Sequence, residues 1–235
     1  MTIYILEKGK IMDLLLESVI ETKKEQNKTL KNILTRIFDI SFSLFAILFF
    51  LPLMSIIAIL IKIKSPDGPI IFKQKRLTLN SREFFVYKFR TMVPNAEEKL
   101  EHLLKNDKDI REEYLKYRKL KNDIRIVGGI GIFLRRTSLD ELPQFFNVLF
   151  GDMSIVGPRP YMRAEFNGYS QSIVDLITSV KPGITGYWQV IPTRHGTTFD
   201  ERVKVDIDYI YNRSLFLDLK IIFRTIEVMV LKKGM

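Results

Sequence analysis

A long apolar run near the N-terminus constrains this chain more than any other feature of its sequence. It extends from Ile37 to Ile61 and reads IFDISFSLFAILFFLPLMSIIAILI, with no amphipathic period. A helix needs about 20 apolar residues to cross the hydrocarbon core of a bilayer, so this run is long enough to do so. The sequence therefore predicts a membrane segment, and a buried core helix of this length and composition is the weaker alternative.

Two features of the run favour a helix that enters and leaves on the same side of the membrane. Basic residues flank both ends, and the positive-inside rule places both flanks in the cytoplasm: Lys28, Lys31 and Arg36 before the run, and Lys62, Lys64, Lys73, Lys75 and Arg76 after it. Pro52 lies past the middle, where its missing N–H and its ring predict a kink. A re-entrant helix satisfies both observations, and a single span stays open.

The charge and the scarce cysteine and histidine narrow the chemistry. The formal net charge of +10 predicts an anionic partner, such as nucleic acid, a phosphorylated small molecule or an anionic membrane surface. No nucleic-acid-binding motif is present, and the basic residues cluster beside the apolar run, so we expect no nucleic acid. With no cysteine, thiolate metal sites and a cysteine nucleophile are excluded, and two histidines make a zinc site improbable. Catalysis would depend on carboxylates, hydroxyls, lysine or arginine.

The chain divides into three predicted parts: a basic N-terminal extension (1–32), the membrane segment (33–62) and a catalytic domain (63–235). In that domain, IIFKQ and FFVYKF have the composition of paired strands and predict a small hairpin. The charged stretch from Asn95 to Lys121 predicts two surface helices with a break near Asn106-Asp107. The fold class predicted is α+β and mainly helical.

The C-terminal stretch SLFLDLKIIFRTIEVMVLKKG predicts an amphipathic helix. Lys220, Arg224 and Glu227 share one narrow face of it, and apolar residues cover most of the rest. Such a helix packs against the core or lies in the membrane interface, and the sequence alone leaves both open.

The decapeptide RRTSLDELPQ, residues 135–144, has two interpretations. Ser138 followed by Glu141 matches a helix capping box, but Pro143 would then be the fifth helical residue, where its ring clashes with the preceding turn. Alternatively, Asp140 and Glu141 lie at a helix N-terminus close to Arg135. The helix dipole and the basic side chains would then keep the carboxylates ionised as a nucleophile or as metal ligands.

Two glycine- and proline-rich turns follow. In Gly157-Pro158-Arg159-Pro160, prolines on both sides of Arg159 would present its guanidinium from a stiff loop, suited to a phosphate or a carboxylate. The segment KPGITGYWQV, residues 181–190, carries the only tryptophan and could line a pocket or pack. The glycines of GGIG, residues 128–131, match no nucleotide-binding fingerprint.

Taken in order, these blocks resemble the bacterial sugar transferase family. They are IFD, SPDGPIIFKQKR, YKFRTM, RRTSLDELPQFFNVLFGDMSIVGPRP, KPGITGYWQV and FDERVKVDIDYI with SLFLDLK, and they run from about Arg36 to the C-terminus. Members are monotopic phosphoglycosyl transferases, also called undecaprenyl-phosphate sugar phosphotransferases. Their membrane segment is a re-entrant helix broken at a Ser-Pro pair. Here that pair is Leu51-Pro52, and Ser55 is a candidate to satisfy the backbone group that the proline frees.

The resemblance implies a two-step reaction at the cytoplasmic face of the bacterial inner membrane. Asp140 would attack the β-phosphorus of a UDP-sugar and expel UMP, and undecaprenyl phosphate would then take the phosphosugar. Asp140 and Glu141 would hold Mg²⁺. Substrate contacts would come from Arg90 and Arg135 and from Pro158, Arg159 and Pro160, with Arg159 at the uridine diphosphate end.

The same resemblance suggests UDP-galactose or UDP-glucose, because the segment from Asn95 to Lys121 is similar to the branch that uses UDP-hexoses. It allows a homodimer without requiring one. The product would begin an exopolysaccharide, capsule, O-antigen or glycoprotein glycan. The alternative is a catalytically silent membrane scaffold, which would have no need to keep Asp140, Glu141 and Arg159 together.

Overall fold

A computed structural model describes residues 2–117, 120–121, 123–191 and 198–230, with side chains from residue 31 to residue 228 within these ranges. The chain forms two compact units, residues 1–38 and residues 39–235. The first unit is helical from Thr2 onward. All contacts discussed below lie within the second.

Helix α1 (Thr2–Lys64) contains the apolar run and includes Pro52 in its interior. Its part from Lys31 to Lys64 is long and apolar enough to cross a membrane. A proline at position 52 leaves the Leu48 carbonyl without its helical donor. The Ser55 hydroxyl donates to the Leu51 carbonyl at 2.9 Å instead. The predicted role of Ser55 is therefore wrong, because the hydroxyl of a helical serine reaches the carbonyl four residues before it, which here is Leu51 and not Leu48.

The other elements follow a mainly helical order with two small sheets. They are β1 (Ile71–Leu77), β2 (Glu83–Phe89), α2 (Ala96–Asn106), α3 (Lys108–Tyr117), α4 (Ile130–Thr137), α5 (Gln144–Phe150), β3 (Ser154–Val156), α6 (Gln171–Ile177), β4 (Gly183–Thr185), α7 (Tyr187–Val190), α8 (Phe199–Asn212) and α9 (Leu215–Val230). The predicted mainly helical α+β class is confirmed. So are the two helices separated at Asp107, because α2 ends at Asn106 and α3 begins at Lys108.

The predicted hairpin is the antiparallel pair β1–β2. Asn147 of α5 fastens the hairpin to the body, because its Oδ1 accepts the Tyr87 N–H at 2.9 Å and its Nδ2 donates to the Phe85 carbonyl at 2.7 Å. A second sheet pairs β3 with β4 in parallel. There Gly183 must lack a side chain, because a Cβ would lie 2.1 Å from the Gly157 nitrogen.

Three apolar clusters hold the second unit together. The first joins β2, α5, β3, α8 and α9 around Tyr209 and Ile221. The second packs Tyr161 against α6 and α8. The third packs the later turns of α1, including Ile57 and Ile61, against Leu134 and residues near it. The later turns of α1 are thus part of the core on which the turn at residues 135–144 rests.

One face of α1 and one face of α9 leave apolar side chains uncovered within the described chain. Phe45, Leu48 and Phe49 of α1 are each about two-thirds exposed. In α9, Ile221 is buried while Phe216 and Phe223 are 78% and 70% exposed. The core-packing alternative is therefore confirmed for one face of α9, and the opposite face is apolar and exposed, so its place in a membrane interface stays a prediction.

Candidate active site

The turn at residues 135–144 does not fold as a capping box. Ser138 adopts a left-handed conformation, with φ of 56°, and ends α4 by donating its N–H to the carbonyls of Arg135 and Leu134. Its hydroxyl caps no helix, and the Glu141 side chain bonds elsewhere. The capping-box prediction is therefore wrong. A box needs extended backbone at its first residue, and the end of α4 imposes the opposite conformation.

Pro143 lies at the start of α5 and not within a helix that begins at Ser138. A short 3₁₀ turn, Leu139–Glu141, separates the two helices, and Pro143 then has the helical φ of −62°. A proline is well suited to the first turn of a helix, where no backbone donor is needed. The chain can therefore turn sharply between α4 and α5 and present Asp140 and Glu141 from the connection.

Four charged side chains meet at this turn. The Glu141 carboxylate accepts a hydrogen bond from Lys88 Nζ of β2 at 2.6 Å. Arg135 and Lys88 both contribute favourable charge to Asp140, which is only 8% exposed. The structure thus brings together the predicted Arg135, Asp140 and Glu141, and it adds Lys88.

Burial dominates the acidity of Asp140. Burial and, to a smaller extent, the neighbouring Glu141 raise the pKa of Asp140 to about 6, although Lys88 and Arg135 act in the opposite sense. The cations favour the ionised form, as expected, but burial and the charge of Glu141 outweigh their effect on this pKa. Near neutral pH most of the carboxylate is still ionised and able to act as a nucleophile.

The loop with Arg159 is held by two buried carboxylates. Asp206 of α8 accepts the Arg159 N–H at 3.0 Å and the Tyr161 hydroxyl at 2.8 Å. Glu165 accepts the Met162 N–H at 2.6 Å, and its other oxygen lies 3.7 Å from Arg159 Nη2. The stiffness predicted from the two prolines is thus reinforced by acids from outside the loop.

Arg76 of β1 joins this loop to the hairpin. Its Nη1 donates to the Pro160 carbonyl and to Glu165, both at 3.1 Å. Burial and, to a smaller extent, the like charge of Arg159 lower the pKa of Arg76 to about 10. Beside the loop, the guanidinium of Arg202 lies 5.4 Å from the centre of the Trp188 ring. Trp188 therefore borders an arginine-rich cluster.

The two groups of charges lie along one face of the hairpin. Phe72 pairs with Lys88 and Arg76 with Phe84, so Lys88 and Arg76 point to the same side of the sheet. Phe72 and Arg76 are four residues apart on β1, a separation of about 13 Å. A ligand that bridged Asp140 and Arg159 would run along this face.

The remaining predicted site residues lie at the margins. Arg90 is buried and its guanidinium donates to the carbonyls of Asp67 and Ser65, so it clamps the turn that follows α1. Its phosphate contact stays a prediction. The Pro158 carbonyl accepts the Gly183 N–H at 2.9 Å, which ties the loop to β4.

Sequence reasoning missed Lys88, Arg76, Glu165 and Asp206. A signal existed for Lys88, because a lone lysine in the apolar strand FFVYKF needs a partner or a function. Glu165 and Asp206 left no such signal, since their roles depend on contacts across 89 and 47 residues of chain.

No group of three or more acidic or histidine side chains converges as a metal site among the residues that the structure describes. The donor set at the turn is the adjacent pair Asp140 and Glu141. Mg²⁺ often takes only one or two carboxylates and completes its octahedron with water and substrate phosphates, so this pair fits such an ion.

Comparison with known proteins identifies similar chains. A family model described as bacterial sugar transferase matches residues 30–232. The undecaprenyl-phosphate galactose phosphotransferase of Salmonella typhimurium is 44% identical over 201 residues, covering 86% of this chain and 41% of that protein. The UDP-glucose:undecaprenyl-phosphate glucose-1-phosphate transferase of Escherichia coli is 40% identical over 200 residues, covering 83% and 39%.

A shorter relative matches over most of its length. The exopolysaccharide production protein ExoY of Rhizobium meliloti is 40% identical over 199 residues, covering 85% of this chain and 86% of that protein. This chain therefore spans about two-fifths of the longer relatives and most of the shorter one.

Proposed function

This chain belongs to the bacterial sugar transferase family, as its motifs predicted, and we propose that it transfers a sugar phosphate from a UDP-sugar to undecaprenyl phosphate with release of UMP. The observation that carries the proposal is the turn where buried Asp140 lies with Glu141, Lys88 and Arg135. The names of its relatives support the two substrates. The product would begin an exopolysaccharide, as the name of one relative suggests.

In the first step a carboxylate oxygen of Asp140 attacks the β-phosphorus of the UDP-sugar. A bond forms between that oxygen and phosphorus, and the bond from phosphorus to the oxygen that bridges the two phosphates breaks. UMP leaves with the bonding electrons, and the phosphosugar stays on Asp140 as an acyl phosphate. Arg135 and Lys88 stabilise the negative charge on the phosphate oxygens during this step.

Glu141 and Asp140 would hold Mg²⁺, which when bound would offset the charge of the diphosphate. The hydrogen bond from Lys88 orients the Glu141 carboxylate beside Asp140. A carboxylate oriented in this way is ready to accept a cation that arrives with the substrate.

The nucleotide end of the substrate would lie toward Arg159. The backbone of this loop is fixed by its two prolines and by the contacts of Glu165 and Asp206. The Arg159 guanidinium is therefore presented with little conformational freedom. Arg76 contributes further positive charge beside it. Phosphate contact by Arg90 would require it to release the turn at Asp67, so we assign that role to Arg135 first.

In the second step an oxygen of undecaprenyl phosphate attacks the same phosphorus and releases Asp140 as a free carboxylate. The acceptor is a lipid, so the site must lie at the membrane surface. We propose that α1 is a re-entrant helix, that the exposed apolar face of α9 lies in the interface, and that the site faces the cytoplasm of a bacterial inner membrane.

The function is tested by UMP release from a panel of UDP-sugars with undecaprenyl phosphate and Mg²⁺. We expect UDP-galactose or UDP-glucose to be used, and Asp140→Asn to abolish release while the protein still folds. Asp175→Asn, an exposed surface change, is the matched control and should keep full activity. Full activity of Asp140→Asn would refute the nucleophile, and an inactive native protein would favour the scaffold.

Topology is tested separately with single cysteines, which are unique because the chain has none. Cysteines placed at Thr29 and at Ser65 should both be labelled by an impermeant reagent only from the cytoplasmic side. Labelling from opposite sides would show a true span and refute the re-entrant helix.

A further inference from the structure

Arg135 is held by a residue to which sequence and comparison assign no role. Its Nε donates to the hydroxyl of Thr91 at 2.9 Å. Thr91 follows β2 and is 6% exposed. Among the residues that the structure describes, Nη1 and Nη2 of Arg135 make no hydrogen bond. The side chain is thus held at Nε, and its two terminal nitrogens are available to bind an anion.

The backbone around Thr91 is itself tightly fixed. Its carbonyl accepts the Val127 N–H at 2.9 Å, and the next residue, Met92, pairs with Ile126 in an antiparallel bridge. Hydrogen bonds on both sides prevent the strand from sliding, so the Thr91 hydroxyl has a defined position.

Gly131 lets α4 approach this strand closely. A Cβ at Gly131 would lie 2.6 Å from the Thr91 carbonyl oxygen, a distance that side chains do not tolerate. Gly131 and Arg135 are one helical turn apart on the same face of α4. The glycine therefore sets the distance at which Arg135 meets the Thr91 hydroxyl.

After burial, the charge of Asp140 has the largest effect on the pKa of Arg135, so the two groups interact directly. An arginine whose Nε is occupied presents its terminal nitrogens as a planar pair that matches two phosphate oxygens. Its orientation then decides whether that pair meets a phosphate held next to Asp140.

We propose that Thr91 is a positioning residue that aims Arg135 at the diphosphate of the substrate, and that Gly131 sets the spacing this requires. The inference rests on the proposed function, since it names a support for the same site. Thr91 touches no substrate and acts only through Arg135.

The test compares Thr91→Val, which removes the hydroxyl at nearly constant shape, with Thr91→Ser, which keeps it. Two readouts are measured in detergent with Mg²⁺: the affinity for UDP by calorimetry, and kcat/KM for UMP release. A hydrogen bond to a charged group predicts a loss of roughly 10- to 100-fold in both for Thr91→Val and retention within about threefold for Thr91→Ser.

A double-mutant cycle with Arg135→Lys separates positioning from a general structural role. Without the guanidinium, Thr91→Val should have no further effect on UDP affinity. An equal effect of Thr91→Val in both backgrounds would overturn the proposal, as would a loss in Thr91→Ser as large as in Thr91→Val.

A glycine pair provides the matched control. Gly131→Ala should weaken UDP binding as Thr91→Val does, whereas Gly128→Ala should not, because a Cβ at Gly128 meets no described residue within 4 Å. If UDP binding follows this pattern but no UDP-sugar yields UMP, the positioning role stands and the proposed transfer fails. If native protein does not bind UDP, the positioning proposal is overturned as well.

Discussion

Glu165 is the residue whose removal should most disturb the loop that carries Arg159. It is 4% exposed, accepts the Met162 N–H, and pairs with Arg76 at 3.1 Å. Replacing it with alanine leaves the buried Arg76 without its anionic partner and the Met162 N–H without its acceptor. It also removes the negative charge between Arg76 and Arg159, which repel each other.

The expected cost follows from the burial of this pair. Removing one partner of a buried ion pair costs about 3–5 kcal/mol, because the other charge stays out of water. With a urea dependence of about 2 kcal/mol per molar, the unfolding midpoint should fall by roughly 2 M. Glu165→Gln keeps one acceptor oxygen for the Met162 N–H, so its unfolding midpoint should fall by less.

The measurement is urea unfolding of the detergent-solubilised protein, followed by the fluorescence of Trp188. This is the only tryptophan, and it contacts Arg202 beside the same cluster. The matched control is Glu83→Ala, since Glu83 is 43% exposed at its side chain and pairs with Lys75 and Arg163 at 3.5 Å. Exposed pairs contribute less than about 1 kcal/mol. A midpoint for Glu165→Ala no lower than that of Glu83→Ala would refute the reasoning.

Two further predictions concern stability. Burial raises the pKa of Asp206 to about 7, so between about pH 4 and pH 7 the folded state keeps a proton that the unfolded state loses. The stability of native protein relative to Asp206→Asn should therefore fall as the pH rises, by at most about 3 kcal/mol from pH 5 to pH 7. Paired thermal melts measure this difference, and a difference that does not change with pH would contradict the prediction. Asn147→Leu leaves the Tyr87 N–H and the Phe85 carbonyl unpaired and should cost roughly 1–3 kcal/mol for each group in urea unfolding, whereas an unchanged midpoint would show that water replaces the amide.

Features set by neighbouring residues were predictable from the sequence. The hairpin followed from the aromatic and β-branched strands, and the end of α2 at Asn106 followed from the Asn-Asp break. A glycine that directly follows an apolar helical run commonly ends the helix, and Gly151 ends α5 with a φ of 93°. Each depends on propensities within a few residues, which tertiary packing did not oppose.

Features set by distant residues were not predictable. The tetrapeptide at Ser138 suits a capping box, but packing of α4 forces that residue into a left-handed conformation. The raised pKa of Asp140 reflects burial, which a linear sequence does not display. Lys88 meets Glu141 across 53 residues of chain, so their pairing could be seen only once the hairpin was placed against the turn.

The central claim is that Asp140 carries the phosphosugar between the two substrates, and isotope exchange tests it most directly. Native protein is incubated with a UDP-sugar, labelled UMP and Mg²⁺, without undecaprenyl phosphate. A covalent intermediate on Asp140 predicts that label enters the UDP-sugar, and that Asp140→Asn shows no exchange. Native protein that transfers to the lipid but exchanges no label in its absence would contradict the account, since the sugar phosphate would then pass directly between substrates.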